Sequence, residues 1–351
     1  MYNLRAEIEQ NLDIAYSLIH TAPDEAMRLA GFAQQRADSM AASAAQTRAA
    51  LIIALAFRAM PTANVDERVH AAQQASQLAL HHNQGEAWVA AQDCWADVCY
   101  DQGHYGEAMD LWLQLLEAGL ENQWFDAIAR AYIGIGKLFF IYDDPNSCLA
   151  THLKVAPLLG KIARLDLHVC HHINVAAAQL HLRNDAASHA ALDRAQAVLQ
   201  TLAFCEYEPE LYYYRAHLLR NVGDNSAAKQ QLERALALSA RSSNYWGKVV
   251  NMIALGELHL EQNETHASHY FMQQALNMAQ EIPAKYLVML AHGGLAQSYA
   301  AKGQTDLEFS HWQQHFALAE EIKADEMSAR LATFKRHSLL QRVHELEQCF
   351  A

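Results

Sequence analysis

The stretch Leu255–Asn263, LGELHLEQN, places a small residue, Gly256, directly after a large apolar one. Steps of forty residues from Gly256 in both directions reach only alanine or glycine. The seven positions of this small-residue column are Ala56, Ala96, Gly136, Ala176, Ala216, Gly256 and Ala296. Because a fixed period of roughly 20–50 residues is typical of repeat architectures, the column indicates that most of the chain is a tandem array of one structural unit.

Three further columns keep the forty-residue period. The residue before the small one is large and apolar at Leu55, Trp95, Ile135, Val175, Leu255 and Leu295, and Arg215 is the exception. A turn column consists of Pro23, Ala63, Gly103, Asp143, Arg183, Gly223, Asn263 and Gly303, and Asn64, Asp144, Asn184 and Asp224 follow it. A second, mostly small column consists of Ala75, Leu115, Val155, Ala195, Ala235 and Ala275. Because Gly, Asn and Asp end and cap helices, and small residues allow close helix contact, the columns predict repeated helix pairs.

The apolar residues between the columns recur every three or four positions, as in WVAAQDCWADVCY (88–100) and LYYYRAHLLRNVG (211–223). This spacing is typical of helices rather than strands, so we predict an all-α protein of about sixteen antiparallel helices. The predicted pairs of helices A and B span 3–39, 43–82, 84–120, 124–160, 164–201, 206–240, 243–281 and 284–322. The prolines at predicted boundaries are Pro23, Pro61, Pro145, Pro209 and Pro283. Pro157 falls inside a predicted helix and should kink it.

The repeat resembles the tetratricopeptide repeat, in which a small residue follows a large apolar one, an aromatic lies three positions on, and a glycine turn precedes an alanine. The pattern is present in Leu295-Ala296-x-x-Tyr299 with Gly303, in Ile135-Gly136-x-x-Phe139, from Gly103 to Ala108 and from Gly223 to Ala228. The resemblance covers roughly residues 40–322. The period differs, because the usual unit has about 34 residues. HEAT-type repeats also have about forty residues, but they fit the small-residue and turn columns less well.

Forty-residue variants of the tetratricopeptide repeat are similar to those of bacterial regulatory and signal-sensing proteins. The resemblance implies a right-handed α-solenoid over residues 1–324, with residues 1–42 as a degenerate capping repeat. It also implies a non-catalytic module that binds a protein or peptide partner on the concave face of the A helices.

The composition argues against several other classes of protein. The formal net charge of −13 opposes binding to the phosphates of nucleic acids, so we expect no nucleic-acid partner. No run of ~18 apolar residues predicts a membrane span, and the acidic N-terminal segment does not resemble a signal peptide. The six cysteines are scattered without a Cys-x-x-Cys pair, which is typical of reduced thiols. We therefore expect a cytoplasmic protein without a membrane partner.

No motif for catalysis or cofactor binding is present. There is no Gly-x-Ser-x-Gly, no phosphate loop and no complete dinucleotide fingerprint. The best metal candidate is LHVCHHINV (167–175), in which His168 and His172 lie four residues apart with Cys170 nearby. With 20 histidines such pairs arise freely, and His172 falls in a column of packing residues. We therefore predict no enzyme activity, no metal and no cofactor.

The inner face of the predicted solenoid carries the candidate site. Helices A line the concave face of such a solenoid, so positions −6, −3, +1, +4 and +5 relative to the small column should point into it. The predicted partner-binding residues are Asp93, Asp97 and Asp101 in an acidic strip, and Arg130, Lys137, Phe140, Asn174, Tyr213, His217, Arg220 and Asn221 in and around a central groove. The groove would hold an acidic or C-terminal carboxylate through charge-assisted hydrogen bonds, whereas the strip would face a basic partner. The structural alternative is that these are solvated charges.

Residues 325–351 break the period and are predicted to form one C-terminal helix. Its apolar residues are Met327, Leu331, Phe334, Leu339, Leu340, Val343, Leu346 and Phe350. A 4-3-4 spacing that resembles a coiled-coil seam is formed by Leu339, Val343, Leu346 and Phe350. The helix is therefore either a cap on the last repeat or the seam of a homodimer. It also resembles the connectors that join sensor regions to output domains such as diguanylate cyclases.

Three functions fit these observations. The first is an adaptor or sensor module that binds a protein or peptide. The second is a ligand-sensing regulator whose C-terminal helix controls an attached or associated signalling output such as a diguanylate cyclase. The third is a nucleic-acid-associated solenoid, which would need a repeated basic stripe, whereas the charges predicted on the inner face alternate in sign.

Overall fold

A computed structural model describes residues 2–60, 63–240, 245–281, 284–324 and 329–350, with side chains in these ranges except at 2–3, 323–324 and 329–338. Within these ranges the chain forms seventeen α-helices and one 3₁₀-helix, and no strand. The A helices are α1 (Tyr2–Leu18), α3 (Ser43–Arg58), α5 (Gly85–Asp101), α7 (Phe125–Ile141), α9 (Leu165–His181), α11 (Glu208–Asn221), α13 (Tyr245–Glu261) and α15 (Lys285–Ala301). The B helices are α2 (Pro23–Ser39), α4 (Val65–His81), α6 (Tyr105–Asn122), α8 (Pro145–Leu153), α10 (Asp185–Leu199), α12 (Asn225–Ser239), α14 (Thr265–Glu281) and α16 (Thr305–Ala324), and α17 (Ala329–Cys349) follows. The all-α fold of eight helix pairs is confirmed.

The two small-residue columns lie at the contacts between consecutive helices. Each A helix packs against the B helix of its own pair and against the next A helix. Ala176 and Ala195, one from each column, are fully buried. A Cβ atom added to Gly256 would lie 2.9 Å from the Cε atom of Met272 on α14, and one added to Gly136 would overlap the ring of His152 on α8. The small residues therefore set how closely helix B approaches helix A, as predicted.

In the six pairs from α5–α6 to α15–α16, the residue of the turn column lies in the turn that follows helix A. All six residues have positive φ: Gly103 (81°), Asp143 (55°), Arg183 (59°), Gly223 (81°), Asn263 (60°) and Gly303 (67°). The next amide then donates to a carbonyl five residues earlier, as from His104 to Cys99 at 2.9 Å. Asn64, Asp144, Asn184 and Asp224 each accept a backbone N–H in the first turn of the following helix. The predicted helix ends and N-caps are confirmed.

Pro157 ends a helix instead of kinking it. Helix α8 stops at Leu153, and the chain continues as a 3₁₀-helix, Ala156–Lys161. The proline ring and its missing N–H are incompatible with a hydrogen bond to the carbonyl four residues earlier, which is that of Leu153. Pro23, Pro145 and Pro209 lie at the beginnings of α2, α8 and α11, as predicted, whereas Pro61 and Pro283 lie outside the described residues.

The described part of α17 packs against α6 and its neighbours. Leu339 and Val343 are buried in the same apolar cluster as residues of α6 and α7. Glu347 accepts hydrogen bonds from the hydroxyl of Tyr132 and the ammonium of Lys154, both at 2.6 Å. Phe316 on the last repeat helix stays 59% exposed, so the described side chains do not cover it. The other apolar tail side chains named in the sequence analysis that lie outside the described side chains are Met327, Leu331 and Phe334.

No described helix is both long and apolar enough to cross a lipid bilayer. The roles considered for the C-terminal helix, a cap, a dimer seam or a connector, stay predictions. The structure adds that Leu339, Val343 and Leu346 of the supposed seam pack against the repeats of the same chain, whereas Phe350 is 40% exposed.

Candidate binding site

A cavity of about 260 Å³ lies between the A helices. Its wall is built by residues of α3, α5, α7, α9 and α11, and by the first turns of α13 and α15. These elements come from seven consecutive helix pairs, the second to the eighth, so the cavity is formed by the curvature of the array. A hollow lined by both apolar and polar groups is the usual form of a ligand site.

One wall of the cavity is a row of alternating charges. Glu206 accepts hydrogen bonds from the guanidinium of Arg58 at 3.0 and 3.1 Å. Arg58 also donates to Asp97 at 3.0 Å, and the ammonium of Lys137 donates to the other oxygen of Asp97 at 3.1 Å. Burial opposes ionisation of Asp97, but Lys137 and Arg58 outweigh it and lower the pKa of that carboxyl. All four groups are therefore charged at neutral pH.

Much of the remaining cavity lining is aromatic. The rings that line the cavity are those of Tyr100, Phe140, Tyr207, Tyr214, Tyr245, Trp246 and Tyr286. Burial raises the pKa of Tyr100, Tyr207 and Tyr214, so these hydroxyl groups stay neutral hydrogen-bond donors and acceptors. Aromatic rings with polar ends provide large contact areas with few rotatable bonds, which suits them to binding.

Five predicted site residues meet in this cavity: Asp97, Asp101, Lys137, Phe140 and Asn174. The carboxylate of Asp101 lies 3.6 Å from the guanidinium of Arg68. Phe140 packs edge-on against His181, with ring centroids 4.7 Å apart. The amide of Asn174 donates to the carbonyl of Cys170 in its own helix at 2.8 Å. The predicted inner-face positions of α5 and α7 thus share one hollow.

The other predicted residues do not line the cavity, and most of them pair with each other or with nearby acids. Arg130 forms an ion pair with Asp93, and the indole N–H of Trp112 also donates to Asp93 at 3.3 Å. Arg220 pairs with Glu257 at 2.9 Å and with Glu261 at 2.5 Å, and Asn221 donates to Asp185 at 3.0 Å. The ring centroids of Tyr213 and His217 are 4.5 Å apart. The acidic strip and the basic groove are therefore complementary faces of adjacent A helices rather than separate patches.

Sequence reasoning missed several groups that line the cavity. Arg58 lies at position +2 from the small column, outside the positions we considered. Glu206, Trp246 and Tyr286 occupy one column of the period, ten residues before the small residue. These residues lie just before or in the first turn of an A helix. Because they occupy the same position in successive repeats, the sequence could have indicated that their side chains converge.

The histidines considered as metal ligands are engaged in other contacts. The Nε2 atom of His168 lies 3.1 Å from the carbonyl oxygen of Ile162. His172 packs against His171, with ring centroids 4.9 Å apart, and burial lowers the pKa of His172 to about 4. Among the described residues, no three His, Cys, Asp or Glu side chains converge as a metal site would require.

Neither a protein-family model nor a curated protein matches the chain. Among solved structures, it is similar to a Rap protein complexed with Competence and Sporulation Factor, at 13% identity over 98% of both chains and a TM-score of 0.57. It is also similar to a chain of the APC/C hetero-tetramer Cut9–Hcn1, at 14% identity and a TM-score of 0.57 over 95% of this chain and 62% of that one. At such identities the likeness concerns the fold alone. The forty-residue columns, the helix pairs and this likeness show that the chain has the fold of an α-solenoid of the tetratricopeptide-repeat type.

Proposed function

We propose that the protein is a non-catalytic regulatory scaffold that binds a peptide, or an extended segment of a partner protein, in the cavity between the A helices. The observation that carries the proposal is the meeting of a charged wall and an aromatic wall at one hollow. Extended segments are recognised by apolar pockets for their side chains together with polar groups that fix their direction. A volume of about 260 Å³ suits a short segment rather than a folded domain.

The likeness of fold supports this proposal in general terms. The similar Rap protein is described as a complex with Competence and Sporulation Factor. A sensing role of the same general kind in this chain is part of our proposal.

A sensor whose C-terminal helix controls a signalling output, such as a diguanylate cyclase, is the second candidate. One observation favours it: α7 carries both cavity residues and a contact to α17. Lys137 and Phe140 line the cavity, and Tyr132 of the same helix donates to Glu347 of α17 at 2.6 Å. A ligand that shifts α7 would therefore act on the docking of α17.

Selection from a displayed random-peptide library on the immobilised protein tests the first proposal. We expect selected peptides to lose about tenfold in affinity with Phe140→Ala and with Tyr214→Ala, because each removes an aromatic anchor worth about 1–2 kcal/mol. Phe309→Ala and Tyr270→Ala are matched controls, because these rings are 62% and 60% exposed and lie outside the cavity. Equal affinities for all four variants would place the partner elsewhere.

A further inference from the structure

The connection between α10 and α11, residues 200–207, crosses to the N-terminal pairs of the solenoid. It is longer than the two- and three-residue connections before α3, α5 and α7. Its Glu206 binds Arg58, which lies 148 residues earlier in the chain. Its Phe204 packs against His20 in the turn after α1, with ring centroids 5.3 Å apart. These contacts tie the connection to the first two helix pairs.

The charged row is only partly accessible to water. The side chains of Arg58, Asp97, Lys137 and Glu206 are between 14% and 26% exposed. Coulombic attraction from Glu206 holds the pKa of Arg58 well above its ordinary value, and Arg58 in turn lowers the pKa of Glu206 against the effect of burial. Removing Glu206 without a replacement would leave the shielded guanidinium of Arg58 with one of its two carboxylate partners, which costs free energy. If another carboxylate takes the place of Glu206 beside Arg58, the charge of the guanidinium remains balanced.

We propose that Glu206 is an internal competitor for a ligand carboxylate, and that the connection 200–207 is a latch that this ligand opens. The inference rests on the proposed function and names the ligand class: a peptide carrying a carboxylate, either its C-terminus or an acidic side chain. When that carboxylate binds Arg58, Glu206 moves into water and the connection separates from His20. No covalent step is involved.

Glu206 rather than Asp97 is the group that leaves. Asp97 lies within helix α5 and is held by both Arg58 and Lys137. Glu206 lies on the connection, where the neighbouring Phe204 is 52% exposed. Opening the connection costs the packing of Cys205, which is buried, and of Tyr207, but it displaces no helix.

The first test needs no ligand. In Glu206→Gln, hydrogen–deuterium exchange of residues 16–22 and 200–207 should become faster than in the wild type. Glu257→Gln is the matched control, because Glu257 also pairs with an arginine of another A helix, at 2.9 Å, outside the cavity. Unchanged exchange in Glu206→Gln, or equal acceleration of these segments by Glu257→Gln, overturns the latch.

The second test uses three pools of random hexapeptides: one with free C-termini, one amidated, and one amidated and free of Asp and Glu. Peptides with a carboxylate should bind the wild type better than the third pool, and Glu206→Gln should raise their affinity about fivefold or more, because the competitor is removed. Retention of only the free-acid pool identifies the C-terminus as the ligand group. Equal binding of all pools to both proteins overturns the inference but leaves the proposed function standing. Absence of binding to either protein contradicts both.

Discussion

Gly134 shows at the scale of one residue why the inner helices need small side chains. A Cβ atom at this position would overlap the indole ring of Trp112, which is fully buried and cannot move aside. We expect Gly134→Ala to lower the free energy of unfolding by about 1–3 kcal/mol, measured by urea denaturation. Gly31→Ala is the control, because nothing lies within 4 Å of its added methyl group. That variant should be neutral or more stable by up to about 1 kcal/mol.

Buried histidines predict how stability depends on pH. Burial lowers the pKa of His152 to about 3 and that of His171 to about 4, against an ordinary value of 6.5. The folded state keeps both neutral at pH 5, whereas the unfolded chain binds protons below about pH 6.5. The contribution of these neutral histidines to stability is therefore fully present above about pH 6.5, and it is lost as the pH falls toward their pKa values in the folded state.

We expect the free energy of unfolding to decrease below pH 6.5 by up to about 1.4 kcal/mol per pH unit for each of these histidines. Urea denaturation at pH 7.5, 6 and 5 measures the slope. His189→Gln should leave it unchanged, since that side chain is 60% exposed. A free energy of unfolding that stays constant between pH 7.5 and 5 would show that neither ring is held neutral.

Single residues also show what the sequence predicts and what it does not. Ala176 and Gly256 were predictable because close packing repeats at every unit. The pairing of Lys137 with Asp97 was missed although both residues lie at position +1 of adjacent repeats. Considered one helix at a time, their charges appear as separate patches. Only the side-by-side packing of the A helices makes them partners.

At the scale of elements, the turn after helix α9 offers a way to raise stability. Arg183 adopts a φ of 59°, a left-handed conformation that costs an L-residue about 1 kcal/mol or more and costs glycine little. We expect Arg183→Gly to raise the free energy of unfolding by about 0.5–1 kcal/mol. Gly223→Ala, at the equivalent position with a φ of 81°, should lower it by a similar amount. If thermal denaturation shows that the two substitutions change stability in opposite directions, the shared turn geometry is supported. Changes in the same direction contradict it.

Elements were predictable where local chemistry decides them. Asp144 and Asn184 cap helices because their side chains reach the backbone of the next turn. The kink expected at Pro157 was wrong in form, because the chain leaves the α-helix at Leu153 and forms a 3₁₀-helix. The connection 200–207 could not be predicted as a crossing segment, since its contact with Arg58 depends on the curvature of the whole array.

At the scale of the whole molecule, the docking of α17 is the contact that depends most on long-range curvature. We expect Leu339→Ala to lower the free energy of unfolding by about 2 kcal/mol and to make α17 more sensitive to proteolysis, because Leu339 is 2% exposed. Leu340→Ala is the adjacent control at 38% exposure and should change stability by less than about 0.5 kcal/mol.

Light scattering on the same variants addresses the predicted homodimer. A concentration-independent monomer for the intact chain would reject the seam. If the intact chain is a dimer that Leu339→Ala dissociates without unfolding, the seam is supported over docking within one chain.

The measurement that tests the central claim most directly is photo-crosslinking from inside the cavity. A benzoylphenylalanine residue replaces Phe140, and in a second protein it replaces Phe309, an exposed residue of α16 that does not line the cavity. Both proteins are irradiated with the peptides selected from the library, and mass spectrometry locates the adducts. The account predicts peptide adducts at position 140, competed by excess unlabelled peptide, and none at position 309. Adducts at position 309 with none at position 140 would contradict binding between the A helices.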